Sequence, residues 1–195
     1  MRKQRIGILA LQGAFIEHQQ ALQRLDAEPV LVRLPEQLQG LQGLIIPGGE
    51  STTISRLMVE SGLFDSIGKL ALERFPILGT CAGMIILGRE KPPQSVKTLR
   101  AMDIETTRNA FGRQVDSFET DLAIPVLGQE LFHAIFIRSP VIDTLGTGVE
   151  VLAHLPDGTP VAARQDRLLA TAFHPELTQD LRFHRYFLSI ISEQG

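Results

Sequence analysis

The chain has 195 residues, of which 44% are hydrophobic and 21% are charged. This length suits a single domain spanning residues 1–195, and the apolar content excludes intrinsic disorder. The 19 basic and 22 acidic side chains give a formal net charge of −3. Since Lys and Arg form no dense run, binding to nucleic acid or to an anionic membrane has no electrostatic support.

The chain contains a single cysteine, Cys81. A lone cysteine has no partner for a disulfide, and the histidines lack the spacing of zinc ligands, so neither a disulfide framework nor a structural metal site is predicted. No other cofactor is expected.

The first residues imitate a secretory signal, because basic side chains precede the apolar run at residues 6–11. That run is shorter than the ~7–15 apolar residues of a signal core, and Gln12 and Glu17 follow it. No run approaches the ~18 apolar residues of a membrane span. We therefore expect a cytoplasmic protein.

Strands and helices alternate through the first half of the chain. Residues 6–11 are uniformly apolar, which is typical of a strand buried on both faces of a parallel sheet. Helical periodicity follows from Phe15 to Leu25. The alternation continues with strands at 30–32, 44–46 and 77–79 and helices at 52–60 (with Ser51 as N-cap), 63–74 and 81–87. This order predicts βαβ units and an α/β fold, a three-layer sandwich with a mixed, mainly parallel central sheet.

The second half is richer in short strands separated by turn signals. Added or antiparallel strands are expected at residues 104–107, 115–118, 131–137, 149–154, 161–164 and 168–173. A last helix is predicted over 179–192, because its apolar residues recur at helical spacing. Residues 91–98, which include two consecutive prolines, are expected to form an exposed connection.

Cys81 lies between two glycines where a predicted strand meets a predicted helix, in the order Gly79-Thr80-Cys81-Ala82-Gly83. This is the arrangement of a nucleophile elbow, with cysteine in place of serine. The N-terminal end of a helix favours an anion such as a thiolate, and the Ala82 N–H points to where an oxyanion would form. A small buried cysteine at an ordinary turn is the alternative interpretation.

His174, Pro175 and Glu176 follow the last predicted strand. Residues two apart in extended backbone share a face, so Glu176 can orient the imidazole of His174 as a base for a cysteine nucleophile. A plain strand-end turn explains the same tripeptide.

A third segment, residues 47–53, reads PGGESTT between a buried strand and a helix. Its glycines allow a backbone N–H to face a ligand, which fits an oxyanion-hole loop. A phosphate loop is disfavoured, since the P-loop pattern is absent and Glu50 would repel phosphate. A capped turn stays open.

Together these segments resemble the class I (triad-type) glutamine amidotransferases, and within them the glutaminase subunits of pyridoxal 5'-phosphate synthase. The resemblance is carried by LQGA with Glu17 and His18, PGGESTT, the elbow, RNAFGRQVDSFE at 108–119, FIRSP at 136–140 and FHPELT at 173–178. These strings span nearly the whole chain. All three positions of the family's catalytic triad are filled, so a non-catalytic regulatory module is disfavoured.

The resemblance implies that Cys81 is the nucleophile, His174 the general base and acid, and Glu176 its orienter. It also implies a glutamine-binding set and an oxyanion hole. The expected glutamine contacts are Gly49, Glu50, Ser51, Arg108, Ile137 and Arg138. The expected oxyanion-hole donors are the N–H groups of Gly49 and Ala82, with Gln12 nearby at the face that meets a partner.

The implied reaction is hydrolysis of L-glutamine to L-glutamate and ammonia, and the implied partner is a PdxS-type synthase subunit in a large hetero-oligomer that uses the ammonia to make pyridoxal phosphate. One alternative is a glutaminase that serves another synthase, such as imidazole glycerol phosphate synthase. Another is a chaperone or oxidation sensor with a cysteine elbow.

Overall fold

The computed structural model describes residues 3–90, 96–108 and 117–193. Its helices and strands follow in chain order as β1 (Arg5–Leu9), α1 (Phe15–Arg24), β2 (Glu28–Val32), β3 (Gly43–Ile46), α2 (Ser51–Glu60), α3 (Leu63–Leu72), β4 (Ile77–Thr80), α4 (Ala82–Leu87), β5 (Arg89–Glu90), β6 (Ile104–Thr107), β7 (Ser117–Leu122), β8 (Phe132–Ile137), β9 (Val141–Leu145), β10 (Glu150–His154), β11 (Pro160–Gln165), β12 (Leu168–Thr171) and α5 (Arg182–Ser192).

A seven-stranded sheet in the order β10-β11-β12-β4-β3-β1-β2 forms the centre of the fold. The five strands from β12 to β2 are parallel, and β11 and β10 complete one edge in antiparallel pairing. The mixed, mainly parallel sheet predicted from the sequence is confirmed. Every residue of β3, β4 and β12 is buried, which explains why these strands are apolar except for a threonine at the end of β4 and of β12.

The strand order reverses between β1 and β3, because β2 lies on one side of β1 and β3 and β4 lie on the other. Right-handed crossovers in opposite directions place α1 on one face of the sheet and α2 and α3 on the other. Ligands of such sheets bind outside the carboxyl ends of the strands at this reversal. The loops after β1, β3 and β4 all open at that edge.

An aromatic cluster joins the sheet, β8 and α5. The ring of Phe173 lies 5.7 Å from that of Phe132, 5.7 Å from that of Phe136 and 5.6 Å from that of Phe183. The backbone N–H of the next residue, His174, donates a hydrogen bond to a β8 carbonyl oxygen, at 2.9 Å. Core packing thus fixes the position at which His174 leaves the sheet.

Several features of the fold differ from the sequence-based expectations. The strand β9 was not predicted; its residues after Ile142 are exposed, so it carries no continuous apolar signal. The strand β12, expected among added or antiparallel strands, pairs antiparallel with β11 but also parallel with β4 inside the central sheet. The expected exposed connection over 91–98 includes a buried residue, Val96, and residues 91–95 lie outside the described part of the chain.

No helix in the described ranges is long and apolar enough to cross a membrane. Residues 115 and 116 of the expected strand at 115–118, and residues 109–116 of the segment RNAFGRQVDSFE, lie outside the described ranges. β7 begins at Ser117 and pairs antiparallel with β8.

Candidate active site

Cys81 occupies a sharp turn between β4 and α4. Its backbone angles are φ 50° and ψ −103°, in a region that residues other than glycine rarely adopt and that costs on the order of 1–3 kcal/mol. The turn is held from both sides: the Cys81 N–H donates to the carbonyl oxygen of Thr171 at 2.7 Å, and the Cys81 carbonyl accepts from the N–H of Met84 at 3.1 Å. The strained backbone is that of a nucleophile elbow.

The two glycines that flank the elbow are required by close packing. A Cβ on Gly83 would lie 2.0 Å from the carbonyl oxygen of Ile46, and a Cβ on Gly79 would lie 2.5 Å from the carbonyl oxygen of Gly83. The start of α4 therefore presses directly on β3 and β4. This contact is the physical reason for the spacing of the two glycines around Cys81.

His174 and Glu176 form a buried hydrogen-bonded pair beside Cys81. The Nδ1 of His174 lies 2.7 Å from Oε1 of Glu176, and the residues are 6% and 7% exposed. The expected contact is present, but its expected geometry was wrong. β12 ends at Thr171, and a single 3-10 turn over Pro175–Leu177 brings the carboxylate back to the imidazole instead of an extended strand.

The surroundings of His174 favour its protonated form. Burial, the largest single influence, lowers the pKa of His174, but hydrogen bonds to Cys81 and Glu176 outweigh it and raise the pKa to about 10. Burial would also raise the pKa of Glu176, yet the histidines on either side of it, His18 and His174, lower that pKa overall. An imidazolium held by the Glu176 carboxylate therefore lies beside Cys81.

The loops after β1 and β3 are joined to each other at the sheet reversal. The Ala14 N–H donates to the carbonyl oxygen of Gly48 at 3.0 Å, and the Glu50 N–H donates to Oε1 of Gln12 at 2.8 Å. Gly13 has a φ of 101°, and a Cβ there would lie 1.9 Å from the Gly48 oxygen. Gln12 thus fixes the peptide group between Gly49 and Glu50. The N–H of Gly49 is the expected oxyanion donor.

Glu50 is the N-cap of α2, and the expectation that Ser51 caps this helix was wrong. The Glu50 carboxylate accepts hydrogen bonds from the N–H groups of Thr52 at 3.0 Å and Thr53 at 2.7 Å. The side chain of Glu50 is longer than that of Ser51, so it reaches these N–H groups although Glu50 lies one residue earlier in the chain. Burial would raise the pKa of Glu50, but the hydrogen bonds to Thr53 and Thr52 lower it to about 2. The carboxylate therefore stiffens the loop that carries Gly49.

A cavity of about 240 Å³ opens above Cys81. The expected site residues that line it are Gln12, Gly49, Glu50, Ser51, Cys81, Ala82, Arg108, Ile137, Arg138 and His174. Glu176, the remaining expected residue, contacts His174 as described above. Segments far apart in sequence therefore converge on one cavity.

The polar side of the cavity is set by Arg108 and Arg138. The guanidinium of Arg108 donates to the Thr52 hydroxyl at 3.3 Å and lies 3.7 Å from the Glu50 carboxylate. Arg138 has a φ of 43° at the end of β8, a left-handed turn that brings it to the cavity wall. The Sγ of Cys81 lies 3.9 Å from the carbonyl oxygen of Ile137. Cations, a thiol and backbone groups thus surround a space suited to a small amino acid.

The sequence analysis missed several contributors. Ile85 and Pro140 also line the cavity. Gly48 lies against the triad, since a Cβ there would be 2.3 Å from Cε1 of His174. The paired glycines of PGGESTT were a usable signal for this close approach. His18 was named only as part of the family resemblance, and its contact with Glu176 was not foreseen because the two residues are distant in sequence.

The fold matches that of a solved glutamine amidotransferase, with a TM-score of 0.90. The two chains are 49% identical, and the match covers 96% of this chain and 99% of the other. The fold therefore defines a protein of the glutamine amidotransferase class.

A profile of the SNO glutamine amidotransferase family matches residues 8–193, and the chain belongs to this family. It is 59% identical to the pyridoxal 5'-phosphate synthase subunit PdxT of Herpetosiphon aurantiacus, over 95% of this chain and 99% of the relative. The PdxT subunit of Pelotomaculum thermopropionicum is 58% identical, over 94% of this chain and 93% of the relative. The resemblance seen in the sequence motifs is confirmed.

Proposed function

We propose that the chain is the glutaminase subunit of a pyridoxal 5'-phosphate synthase and hydrolyses L-glutamine to L-glutamate and ammonia. The observation that carries the proposal is the placement of Cys81, on a strained elbow, beside the buried His174–Glu176 pair at the wall of one cavity. A buried thiol, base and orienting carboxylate form the group needed for nucleophilic cleavage of an amide.

In the first half of the reaction, the Cys81 thiolate attacks the side-chain amide carbon of glutamine. The carbonyl oxygen becomes an oxyanion, which the N–H groups of Gly49 and Ala82 stabilise, each such donor being worth roughly 3–4 kcal/mol. The protonated His174 then donates its proton to the amide nitrogen. The carbon–nitrogen bond breaks, ammonia leaves, and a glutamyl thioester stays on Cys81.

In the second half, the now neutral His174 takes a proton from a water molecule, whose oxygen attacks the thioester carbon. The carbon–sulfur bond breaks, glutamate leaves, and the thiolate and the imidazolium are restored. Glu176 keeps the imidazole in one tautomer through both halves, because its Oε1 accepts the Nδ1–H throughout.

Binding of glutamine is assigned to the cavity wall. Arg138 and Arg108 suit its α-carboxylate, since guanidinium groups bind carboxylates with paired hydrogen bonds. Backbone groups of Gly49, Ser51 and Ile137 suit the rest of the substrate. The Glu50 carboxylate acts through the loop, because α2 and Arg108 already engage it.

The chain forms one glutaminase domain and hands its ammonia to a separate PdxS-type synthase subunit. In the proposed assembly, a cytoplasmic hetero-oligomer, that subunit combines the ammonia with ribose 5-phosphate and glyceraldehyde 3-phosphate. Gln12, at the cavity and bonded to the Glu50 N–H, is the residue through which a docked partner can order the oxyanion loop.

The test is a glutamate-release assay on the purified chain with and without the synthase subunit and its two sugar phosphates. We expect low turnover by the chain alone and strong activation by the partner. Equal turnover with and without the partner would contradict the proposed activation. Activation by an imidazole glycerol phosphate synthase partner, and not by the pyridoxal phosphate synthase subunit, would contradict the assigned pathway.

A further inference from the structure

Two completely buried histidines lie on the side of Glu176 that faces away from His174. They are His18 on α1 and His184 on α5. The Nδ1 of His18 is 2.9 Å from Nε2 of His184, and its Nε2 is 3.2 Å from the Thr80 hydroxyl. The same Nε2 lies 3.4 Å from Oε2 of Glu176. The triad carboxylate is therefore enclosed between His174 at one oxygen and His18 at the other.

The hydrogen-bond pattern fixes the proton on His18. Within the described residues, Oε2 of Glu176 has no hydrogen-bond partner of normal geometry, and it lies 3.4 Å from Nε2 of His18, which also contacts the Thr80 hydroxyl at 3.2 Å. A proton on that nitrogen gives the buried carboxylate oxygen a donor. A bare nitrogen would instead turn its lone pair towards an anion, which is unfavourable in a dry environment. Nε2 of His18 therefore carries the proton.

His184 holds His18 in this tautomer. With its proton on Nε2, neutral His18 has a bare Nδ1, which accepts a hydrogen bond from Nε2–H of His184. The Nδ1 of His184 is then also bare, and it has no partner among the described residues. The reverse arrangement would bury an N–H without an acceptor, which is rare in native structures.

Both histidines act as neutral hydrogen-bonding groups. Burial lowers the pKa of His18, and burial together with the neighbouring His18 lowers the pKa of His184 to about 3. The titratable groups that face His18 are His184 on α5, Glu176 and His174 after β12, and Glu17 on its own helix. His18 is not among the residues that line the cavity.

We propose that His18 is a positioning residue for the triad: its Nε2–H holds Oε2 of Glu176, so that Oε1 stays in line with Nδ1 of His174, and His184 fixes the tautomer that makes this possible. The effect on turnover rests on the proposed glutaminase function. The effect on the triad itself does not, since it concerns only groups within this chain.

Three variants of the full chain test the role. His18→Leu fills the space but removes the donor, whereas His18→Gln keeps an N–H donor at a similar distance along the side chain. His184→Leu leaves His18 in place but removes the group that fixes its tautomer. Phe187→Leu is the matched control, because Phe187 is buried on the same helix as His184 and has no part in this chain of hydrogen bonds.

The first readout is the rate at which iodoacetamide alkylates Cys81, the single cysteine, as a function of pH. The alkaline inflection reports loss of the proton from His174 and is expected near pH 10 in the unaltered chain. We expect it to fall by about one pH unit or more in His18→Leu, by less in His184→Leu, and to stay unchanged in His18→Gln and Phe187→Leu. A merely structural role would lower thermal stability without moving this inflection.

The second readout is glutamine turnover in the complex with the synthase subunit. We expect kcat to fall roughly 10- to 100-fold in His18→Leu, the effect of losing one charge-assisted hydrogen bond, with KM changed by no more than about twofold. A folded His18→Leu chain with an unshifted inflection would overturn the proposal. If that variant does not fold, an unshifted inflection in His184→Leu overturns it instead.

The two proposals fail in different ways. An inflection that moves as expected in a chain that never releases glutamate supports the role of His18 and contradicts the glutaminase function. Normal glutamate release by His18→Leu, with an unshifted inflection, supports the glutaminase function and overturns the role of His18.

Discussion

Two histidine–carboxylate groups in this protein have nearly the same hydrogen-bond geometry. In the triad, Nδ1 of His174 lies 2.7 Å from Glu176. On the β7–β8 hairpin, His133 lies between Asp121 and Glu119, with a nitrogen–oxygen distance of 2.9 Å to each. The hairpin group even has one carboxylate more. Distance alone therefore does not distinguish a catalytic pair from a surface pair.

Their surroundings separate them. The side chains of His133, Asp121 and Glu119 are 50%, 59% and 61% exposed, so water and salt screen their interaction. Hydrogen bonds to Asp121 and Glu119 raise the pKa of His133 too, so a raised histidine pKa does not by itself mark a site. The buried pair differs because a thiol, a cavity and a second buried histidine adjoin it.

Replacing each histidine should give the largest contrast. We expect His174→Ala to lower glutamate release in the complex by on the order of 10³-fold or more, since it removes both the proton donor and the proton acceptor. His133→Ala should stay within about twofold of the unaltered chain. A similar loss in both variants, measured at equal folded fractions, would break the contrast.

Replacing a carboxylate in each group should give a smaller contrast. Glu176→Gln keeps the shape of the side chain but removes the charge that fixes the His174 tautomer, so we expect a loss of roughly 10²-fold in kcat. Asp121→Asn, the surface counterpart, should leave kcat unchanged. The measurement is steady-state glutamate release, and full activity of Glu176→Gln would show that the triad carboxylate is dispensable.

A third contrast concerns the packing around the triad. An added methyl at Gly48 would meet Cε1 of His174 at 2.3 Å, so the imidazole must move. We expect Gly48→Ala to lower kcat by roughly tenfold, because small displacements of a catalytic group are costly. Gly68→Ala on α3 is the control, since its nearest neighbour is 3.7 Å away and alanine favours a helix. Unimpaired turnover by Gly48→Ala would mean that His174 is not held as tightly as described.

The Glu50 side chain is 47% exposed, between the buried triad and the exposed hairpin group. Its replacement is expected to have the smallest effect of these variants. Loss of its capping bonds in Glu50→Gln should cost less than about 1 kcal/mol of unfolding free energy at neutral pH, because solvent screens part of the interaction. The pKa of Glu50 is lowered from its ordinary 4.5 to about 2, so its contribution is present above pH 4.5 and is lost as pH falls through about 2. Denaturant unfolding across this range should show the two chains converging at low pH. A stability difference that widens on acidification would contradict the capping role.

Local sequence patterns were sufficient for much of the fold. Uniform apolar runs predict the buried parallel strands, because strands covered on both faces need no polar positions. The elbow was recognised in the sequence from its flanking glycines, which are needed because the start of α4 packs closely against the sheet, as Gly83 does against Ile46. Those signals are local in the chain, and the corresponding elements were predicted nearly to the residue.

Features set by contacts between distant segments could not be predicted in this way. The sequence of β12 resembles that of β11, its antiparallel neighbour, and only its place beside β4 in the sheet gives it a parallel partner as well. The N-cap of α2 depends on how the Glu50 side chain folds back onto the helix, whereas the sequence predicted Ser51, a residue type that is common at N-caps. His18 and Glu176 are 158 residues apart in the sequence, so only the structure shows that they are in contact.

The central claim is that Cys81 reacts with glutamine in the cavity described above. The most direct measurement is labelling of the full chain, with its synthase partner present, by a glutamine-analogue diazoketone, followed by mass spectrometry of the intact chain and of its peptides. We predict one adduct, located on Cys81 and suppressed by excess L-glutamine, and none in a folded Cys81→Ala chain. An adduct elsewhere, or labelling of Cys81 that glutamine does not suppress, would contradict the account.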